Sequence, residues 1–134
     1  MKDVMDKLEY KGKEYKLIFN FNVLEAIQEE YGTLGKLLDE AYGRKTGEPS
    51  AKALAFMIAA MINEGIDIDN EEAAPEGQKQ PITTKQANRM LTEFVQKTGV
   101  DNVINVIDDL MGKSLQGGED SKNESSTKTE KKSR

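Results

Sequence analysis

Apolar and polar residues alternate in the segment before the first predicted helix. Every second position from 15 to 21 is aromatic or apolar: Tyr15, Leu17, Phe19 and Phe21. A period of two is typical of a half-buried strand, and Ile18 alone breaks it. Leu8 and Tyr10 share a face in the preceding segment, and glycine within 11–13 predicts a tight turn. The pattern therefore predicts an N-terminal β-hairpin whose apolar face needs a cover.

Helical periodicity replaces this alternation along the rest of the chain. Apolar residues recur at spacings of three and four, as expected for helices with one buried face. The predicted helices are 23–31, 34–42, 51–64, 84–97 and 101–111. The segment 66–82, rich in acidic residues, glycine and proline, is predicted to be a mobile loop.

Capping residues fix where these helices are expected to begin and end. Asn22, three residues before Glu25, predicts a capping-box-like start for the first helix. Thr83 and Gln86 predict the same arrangement for the fourth, and Gly65 predicts the end of the third. The other predicted caps and stops are Gly32, Thr33, Gly43, Ser50 and Gly99.

The third predicted helix is the most apolar, and one of its side chains falls outside the main stripe. Its buried stripe is expected to comprise Leu54, Met57, Ile58, Met61 and Ile62. Phe56 lies about 200° from Leu54 on the helical wheel, between Ala59 and Ala60. Phe56 either packs under the hairpin or makes an inter-chain contact. Phe56, Ala59 and Ala60 are therefore the candidate partner-binding residues.

Length and composition indicate one domain followed by a tail. The chain has 134 residues, of which 37% are hydrophobic and 32% charged. From Lys113 onward Leu115 is the only large apolar residue, so this segment cannot bury enough surface to offset its ordering entropy. The predicted fold is α+β and mostly α: an N-terminal β-hairpin packed on about five helices within 1–112, with a disordered polar tail at 113–134.

The distribution of charge limits the classes of partner. Residues 1–112 carry 13 Lys or Arg against 20 Asp or Glu, a net charge of −7, and residues 113–134 carry a net charge of +2. An acidic domain repels phosphate backbones, so nucleic acid is not expected as a partner. The longest apolar stretch, 53–62, is shorter than the ~20 residues of a membrane span. The sequence predicts a soluble cytoplasmic protein without a membrane anchor.

The side chains most often used in catalysis and metal binding are missing. The chain contains no histidine and no cysteine. It therefore lacks the commonest general base and the preferred zinc ligands. The run from Asp67 resembles a calcium loop only at its start, because its sixth and twelfth positions are Glu72 and Gln78 instead of glycine and glutamate. We predict no catalytic residues, no metal site and no cofactor, and hence no enzyme.

The hairpin and the first two helices resemble the start of the tail assembly chaperone family encoded by long-tailed, siphovirus-type phages and prophages. The matching residues are Gly12, Glu14, Tyr15, Leu17, Phe19, Phe21, Leu24, Ile27, Tyr31, Gly32 and the Leu37-Leu38 pair. The likeness continues through the apolar helix at 54–62 and the segment Pro81-Ile82-Thr83. It covers residues 8 to 97.

This resemblance implies a non-catalytic chaperone that binds the tape measure protein and keeps it soluble before the tail polymerises. It implies a location in the cytoplasm of the bacterial host and absence from the finished virion. Tail tube subunits and a second copy of the chain are further candidate partners, although the short tail lacks the apolar anchors expected of a tube-binding extension. The alternative is a structural phage protein, either a head-tail connector or a minor tail component, and an enzyme ranks last.

Overall fold

The hairpin and the helices follow one another in the predicted order. The computed structural model describes residues 5–115. Its elements are β1 Met5–Tyr10, β2 Lys13–Ile18, α1 Phe21–Tyr31, α2 Leu34–Tyr42, α3 Ala51–Glu72, a 3-10 turn Pro75–Gly77, α4 Thr84–Thr98 and α5 Val100–Leu115. The predicted fold class, mostly helical with a hairpin packed on five helices in this part of the chain, is confirmed.

The hairpin is antiparallel and tightly connected. Its register runs from Met5 opposite Ile18 to Tyr10 opposite Lys13. The two residues of the loop, Lys11 and Gly12, have φ angles of +52° and +77°. Positive φ at both loop positions matches the right-handed twist of the strands, which is why a glycine suits this turn.

The passage from β2 into α1 differs from the prediction. The cap of α1 is Asn20, whose side-chain oxygen accepts a hydrogen bond of 3.2 Å from the backbone N–H of Val23. The prediction of Asn22 as the cap is therefore wrong. Phe21 enters the first helical turn instead of continuing the strand, so its side chain is 72% exposed and the prediction of a core role is also wrong. Ile18, the exception in the pattern, is buried.

Helix α3 does not end at Gly65 but continues to Glu72. Gly65 lies against β2: a Cβ at this position would lie 3.2 Å from the Cβ of Lys16 and 3.3 Å from the Lys16 carbonyl oxygen. Glycine in a helix interior costs about 1 kcal/mol relative to alanine. Here the missing side chain permits a close helix–strand approach, and the packing of α3 on β2 outweighs that cost.

Helix α3 occupies the centre of the fold, in contact with β2, α1, α2 and α4, while α5 packs on α4. Its predicted apolar stripe is buried, and four methionines lie in the core: Met57, Met61, Met90 and Met111. The largest fully buried side chains also include Phe19, Ile27, Leu37, Ile62, Ile107 and Leu110. No helix in the described residues is long and apolar enough to cross a bilayer.

The remaining caps agree with the prediction more closely than the loops do. Thr33 caps α2, and Thr83 with Gln86 forms a complete capping box on α4. The predicted mobile loop at 66–82 is wrong in its first part, because 66–72 belong to α3. Helix α5 continues through Gly112 to Leu115, and the rest of the predicted disordered tail lies outside the described residues.

Candidate functional site

The three predicted partner-binding residues lie on α3, where neighbouring helices cover part of their surface. The ring of Phe56 packs edge-on against Tyr31 of α1, with ring centroids 5.4 Å apart and an interplanar angle of 67°. Ala59 is buried, whereas Phe56 and Ala60 are partly buried. Helix α1, and not the hairpin, therefore supplies this cover. A role for Phe56, Ala59 and Ala60 in binding a partner stays a prediction.

The contact between Phe56 and Tyr31 depends on ring packing alone. The Tyr31 hydroxyl is buried and has no hydrogen-bond partner among the described residues. Burial, followed by the negative charges of Glu40 and Glu30, raises the pKa of Tyr31 above its ordinary value. Edge-to-face pairs of this kind stabilise by about 0.5–1.5 kcal/mol beyond the area they bury.

A groove of about 500 Å³ lies between the β-hairpin, the C-terminal half of α3 and residues 79–82. Its apolar lining includes Ile62, Ile66 and Ile82. A second groove of about 500 Å³, beside the end of α2, is lined by polar and charged side chains alone. Binding sites usually combine apolar walls with a few placed polar groups. The first groove therefore has the composition of a binding site, and we call it the lysine groove.

One wall of the lysine groove is an extended segment, residues 78–82, which we call the strap. Two asparagines on α3, about two helical turns apart, hold the strap. The Asn70 side-chain oxygen accepts from the backbone N–H of Lys79 at 2.9 Å, and its amide nitrogen donates to the Lys79 carbonyl at 3.0 Å. Asn63 makes the same two bonds with Ile82, at 2.7 and 3.1 Å. The strap is thus fixed to α3 by paired backbone contacts.

Gln78 strengthens the same attachment at the beginning of the strap. Its side-chain amide nitrogen donates to the carbonyl oxygens of Asn70 at 2.8 Å and Ala73 at 3.0 Å. Both acceptors lie at the end of α3, where the last helical carbonyls lack partners within the helix. A segment predicted to be mobile is therefore held by side-chain amides, because the second half of the acidic region runs back along the helix.

Asp69 joins the three walls of the groove at its rim. Its carboxylate accepts from Lys16 of β2 at 2.8 Å and from Lys79 of the strap at 3.3 Å. The hydrogen bond from Lys16 lowers the pKa of Asp69, partial burial opposes this effect, and Lys79 adds to the lowering. The three side chains are partly exposed, so these ion pairs position the walls more than they stabilise the fold.

The groove carries a positive charge on an acidic domain. Its charged lining residues are the lysines Lys7, Lys13, Lys16 and Lys79 and the acids Glu14 and Asp69. Lys7 lies 3.7 Å from Glu14 across the hairpin. Lys13 lies over the Tyr15 ring, 6.0 Å from its centroid, and forms no ion pair with the described residues. The lining therefore has a net charge of +2, whereas residues 1–112 have −7.

The side chains of this groove can hold a segment of another molecule through charged, polar and apolar contacts. Among the described residues, no group of three or more acidic side chains is placed to hold a metal ion. The lysines and amides of the groove donate hydrogen bonds, and its isoleucines offer apolar contact. The groove can therefore recognise carboxylates next to apolar side chains.

Comparisons with known proteins identify no relative of this chain. No protein-family model, curated protein or solved structure matches this chain.

The sequence alone does not predict the lysine groove, because its walls come from three separate segments. Asn63 and Asn70 are seven residues apart, which places them on one face of a helix that extends beyond Gly65. That spacing was the available signal, but it has meaning only once α3 is known to continue. Ending the helix at Gly65 removed Asn70 from it.

Proposed function

We propose that this chain is a non-catalytic phage tail assembly chaperone, which binds the tape measure protein and keeps it soluble during tail assembly. It acts in the cytoplasm of the bacterial host and is absent from the mature virion. The observation that carries this proposal is the lysine groove, a fixed concavity with apolar walls and a charged rim. Such a surface suits a segment of an amphipathic protein chain.

The resemblance of residues 8–97 to that family supports the proposal and supplies the identity of the partner. Several of the matching residues have clear structural roles. Gly12 forms the hairpin turn with positive φ, and Gly32, also with positive φ, follows the end of α1. Phe19 and Ile27 are fully buried. The resemblance thus concerns residues on which the hairpin and first helices depend.

Net charge favours a chaperone role over self-assembly into a particle. An acidic surface keeps a protein dispersed while a local apolar groove engages a client. The partner that the resemblance implies is a long protein whose exposed hydrophobic helices aggregate unless a chaperone covers them. Binding in a groove shields such faces without any covalent chemistry.

Co-expression with the tape measure protein of the same phage genome tests the proposal. We expect the soluble fraction of the tape measure protein to rise, and the two chains to co-purify. A Phe19→Asp variant serves as the unfolded control, because it places a charge in the core and should abolish the effect. An insoluble tape measure protein in the presence of the folded wild-type chain would refute the proposal.

Mass spectrometry of purified virions tests the alternative of a connector or minor tail component. A chaperone leaves before the tail is complete, so its peptides should be absent from purified particles. A structural subunit would instead be present at a fixed ratio to the tape measure protein. Finding this chain at such a ratio would replace the chaperone proposal by the structural one.

A further inference from the structure

We propose that the lysine groove binds an acidic amphipathic segment of the partner, with partner carboxylates at the lysine rim and partner apolar side chains against Pro81 and Ile82 of the strap. This inference rests on the proposed function and assigns the surface through which it operates. It commits to a partner segment that carries net negative charge.

The first argument is that the groove already holds a carboxylate of this chain. Asp69 accepts from Lys16 at 2.8 Å and from Lys79 at 3.3 Å, so the rim is arranged for carboxylate oxygens. Lys13 has no carboxylate partner among the described residues, and its ammonium lies over the Tyr15 ring. A partner carboxylate can therefore pair with Lys13 without breaking an ion pair between described residues.

The second argument is the apolar lining. Ile62 and Ile66 are buried in the groove wall, and Pro81 and Ile82 of the strap face the same space. Ile62 and Ile66 already pack in the core, so the apolar surface open to a ligand comes mainly from Pro81 and Ile82, and a purely polar ligand would cover it without apolar contact. A segment with acidic residues on one side and apolar residues on the other satisfies both parts of the groove, which is the helix-in-groove mode of recognition.

The third argument is preorganisation. Four hydrogen bonds from Asn63 and Asn70 hold the strap on α3, and Gly65 lets β2 lie close to the same helix. The walls are therefore in place before a partner arrives. Preorganised sites lose less conformational entropy on binding, which favours affinity.

The charge pattern favours an acidic protein segment over a nucleic acid. Glu14 and Asp69 lie among the four lysines and would repel a continuous run of phosphates. Apart from the groove residue Asp69, residues 19–78 carry four Lys or Arg against eleven Asp or Glu, so the field around the groove is negative. A short segment with spaced carboxylates fits this pattern, whereas a polyanion does not.

A charge-reversal pair at the rim tests the inference. Overlapping synthetic peptides covering the tape measure sequence are titrated against the full chain by fluorescence anisotropy. We expect the peptides that bind to be acidic and amphipathic, and Lys13→Glu with Lys79→Glu to weaken binding by about tenfold or more. The effect should shrink at high salt, because exposed charge interactions are screened.

A matched pair elsewhere controls for net charge. Lys36→Glu with Lys52→Glu makes the same change in total charge, and Lys52 lies about 25 Å from Asp69 along the axis of α3. Binding by this pair should stay within about twofold of wild type. Thermal unfolding is measured for both double variants and for the milder Lys13→Gln, Lys79→Gln variant. These melting temperatures distinguish a loss of fold from a loss of binding.

Three outcomes would overturn the inference, and they are separable from failure of the proposed function. If the Lys13 and Lys79 pair keeps the tape measure protein as soluble as wild type does, the groove assignment fails and the chaperone proposal stands. The groove assignment also fails if the peptides that bind are neutral or basic. It fails as well if the chain self-associates and only the Lys13→Glu, Lys79→Glu variant abolishes that self-association. If the wild-type chain never solubilises the tape measure protein, both proposals fail.

Discussion

At the residue scale, Tyr42 links two helices that are far apart in sequence. Its hydroxyl on α2 donates a hydrogen bond of 2.5 Å to Asp108 on α5, and the Arg44 guanidinium lies 5.2 Å from its ring centroid. We expect Tyr42→Phe to lower the free energy of unfolding by about 1 kcal/mol, since one hydrogen bond is lost while the ring is kept. Urea denaturation measures this change. Tyr15→Phe, whose hydroxyl has no hydrogen bond with the described residues, should change the free energy of unfolding by less than about 0.5 kcal/mol.

Two neighbouring aromatic residues test the boundary between β2 and α1. Phe19 is 1% exposed and Phe21 is 72% exposed. We expect Phe19→Ala to destabilise by about 3–5 kcal/mol, because it leaves a cavity in the core. Phe21→Ala should change the free energy of unfolding by less than about 0.5 kcal/mol. Equal losses at the two positions would show that the strand continues through Phe21, as the alternation alone suggests.

At the element scale, the crossing of α3 over β2 depends on a glycine. A Cβ at Gly65 would lie 3.2–3.3 Å from Lys16, whereas a Cβ at Gly112 in α5 would meet nothing within 4 Å. We expect Gly112→Ala to stabilise by about 0.5–1 kcal/mol through helix propensity alone. Gly65→Val should destabilise by about 2–3 kcal/mol, because the hairpin must move away from the helix. Thermal denaturation of both variants measures the difference, and a stabilising Gly65→Val would contradict the close approach.

The strap is an element without regular secondary structure, held by side chains. Asn63→Ala removes both of its hydrogen bonds with the Ile82 backbone. We expect a loss of about 2 kcal/mol in the free energy of unfolding and faster hydrogen exchange at the Ile82 amide. Exchange at core amides of α3 should change only in proportion to global stability. Asn102→Ala on the exposed face of α5 is the control, and an unchanged Ile82 exchange rate in Asn63→Ala would contradict the assigned role of Asn63.

At the scale of the whole molecule, we expect the free energy of unfolding to fall at both acid and alkaline pH. We call these two parts of the stability–pH curve the acid limb and the alkaline limb. The pKa of Asp69 is lowered by Lys16, so the unfolded state binds more protons and stability falls as pH drops below about 4. The pKa of Tyr42 is raised by burial and by Asp108, so its contribution is present below pH of about 10 and is lost above it. Burial also raises the pKa of Tyr31, so Tyr31 contributes to the same loss of stability at alkaline pH.

Urea denaturation across a pH series measures these two limbs. Asp69→Asn should flatten the acid limb and leave the alkaline limb unchanged. Tyr42→Phe should flatten part of the alkaline limb, with the remainder due to Tyr31. An acid limb of the same steepness in Asp69→Asn would assign the loss to other carboxylates.

Charge is unevenly distributed over the molecule, with lysines concentrated on the hairpin and acidic residues on the first three helices. Four lysines lie between positions 7 and 16, whereas residues 19–78 carry four Lys or Arg against twelve Asp or Glu. The lysine groove lies where these two regions meet. This distribution would guide the proposed acidic segment toward the groove and repel it from the acidic helices.

The sequence by itself determined the elements whose signals are local. The hairpin turn, the caps at Thr33, Ser50 and Thr83, and the spans of α2 and α4 follow from residues within a few positions of one another. Periodicity likewise identified the core stripe of α3, because burial of one helix face requires a repeat in the sequence itself.

Only the tertiary structure decided the features that depend on contacts between distant segments. Whether Gly65 ends α3 depends on β2. Because Gly65 has no Cβ, β2 packs closely against α3 at this position, and this packing stabilises the helix beyond Gly65. Phe56 finds its cover on α1, and Asn70 finds its partners in the strap. The lysine groove arises from three segments that only the fold brings together. Local propensity is a weak term of about 1 kcal/mol per residue, and packing between distant elements outweighs it.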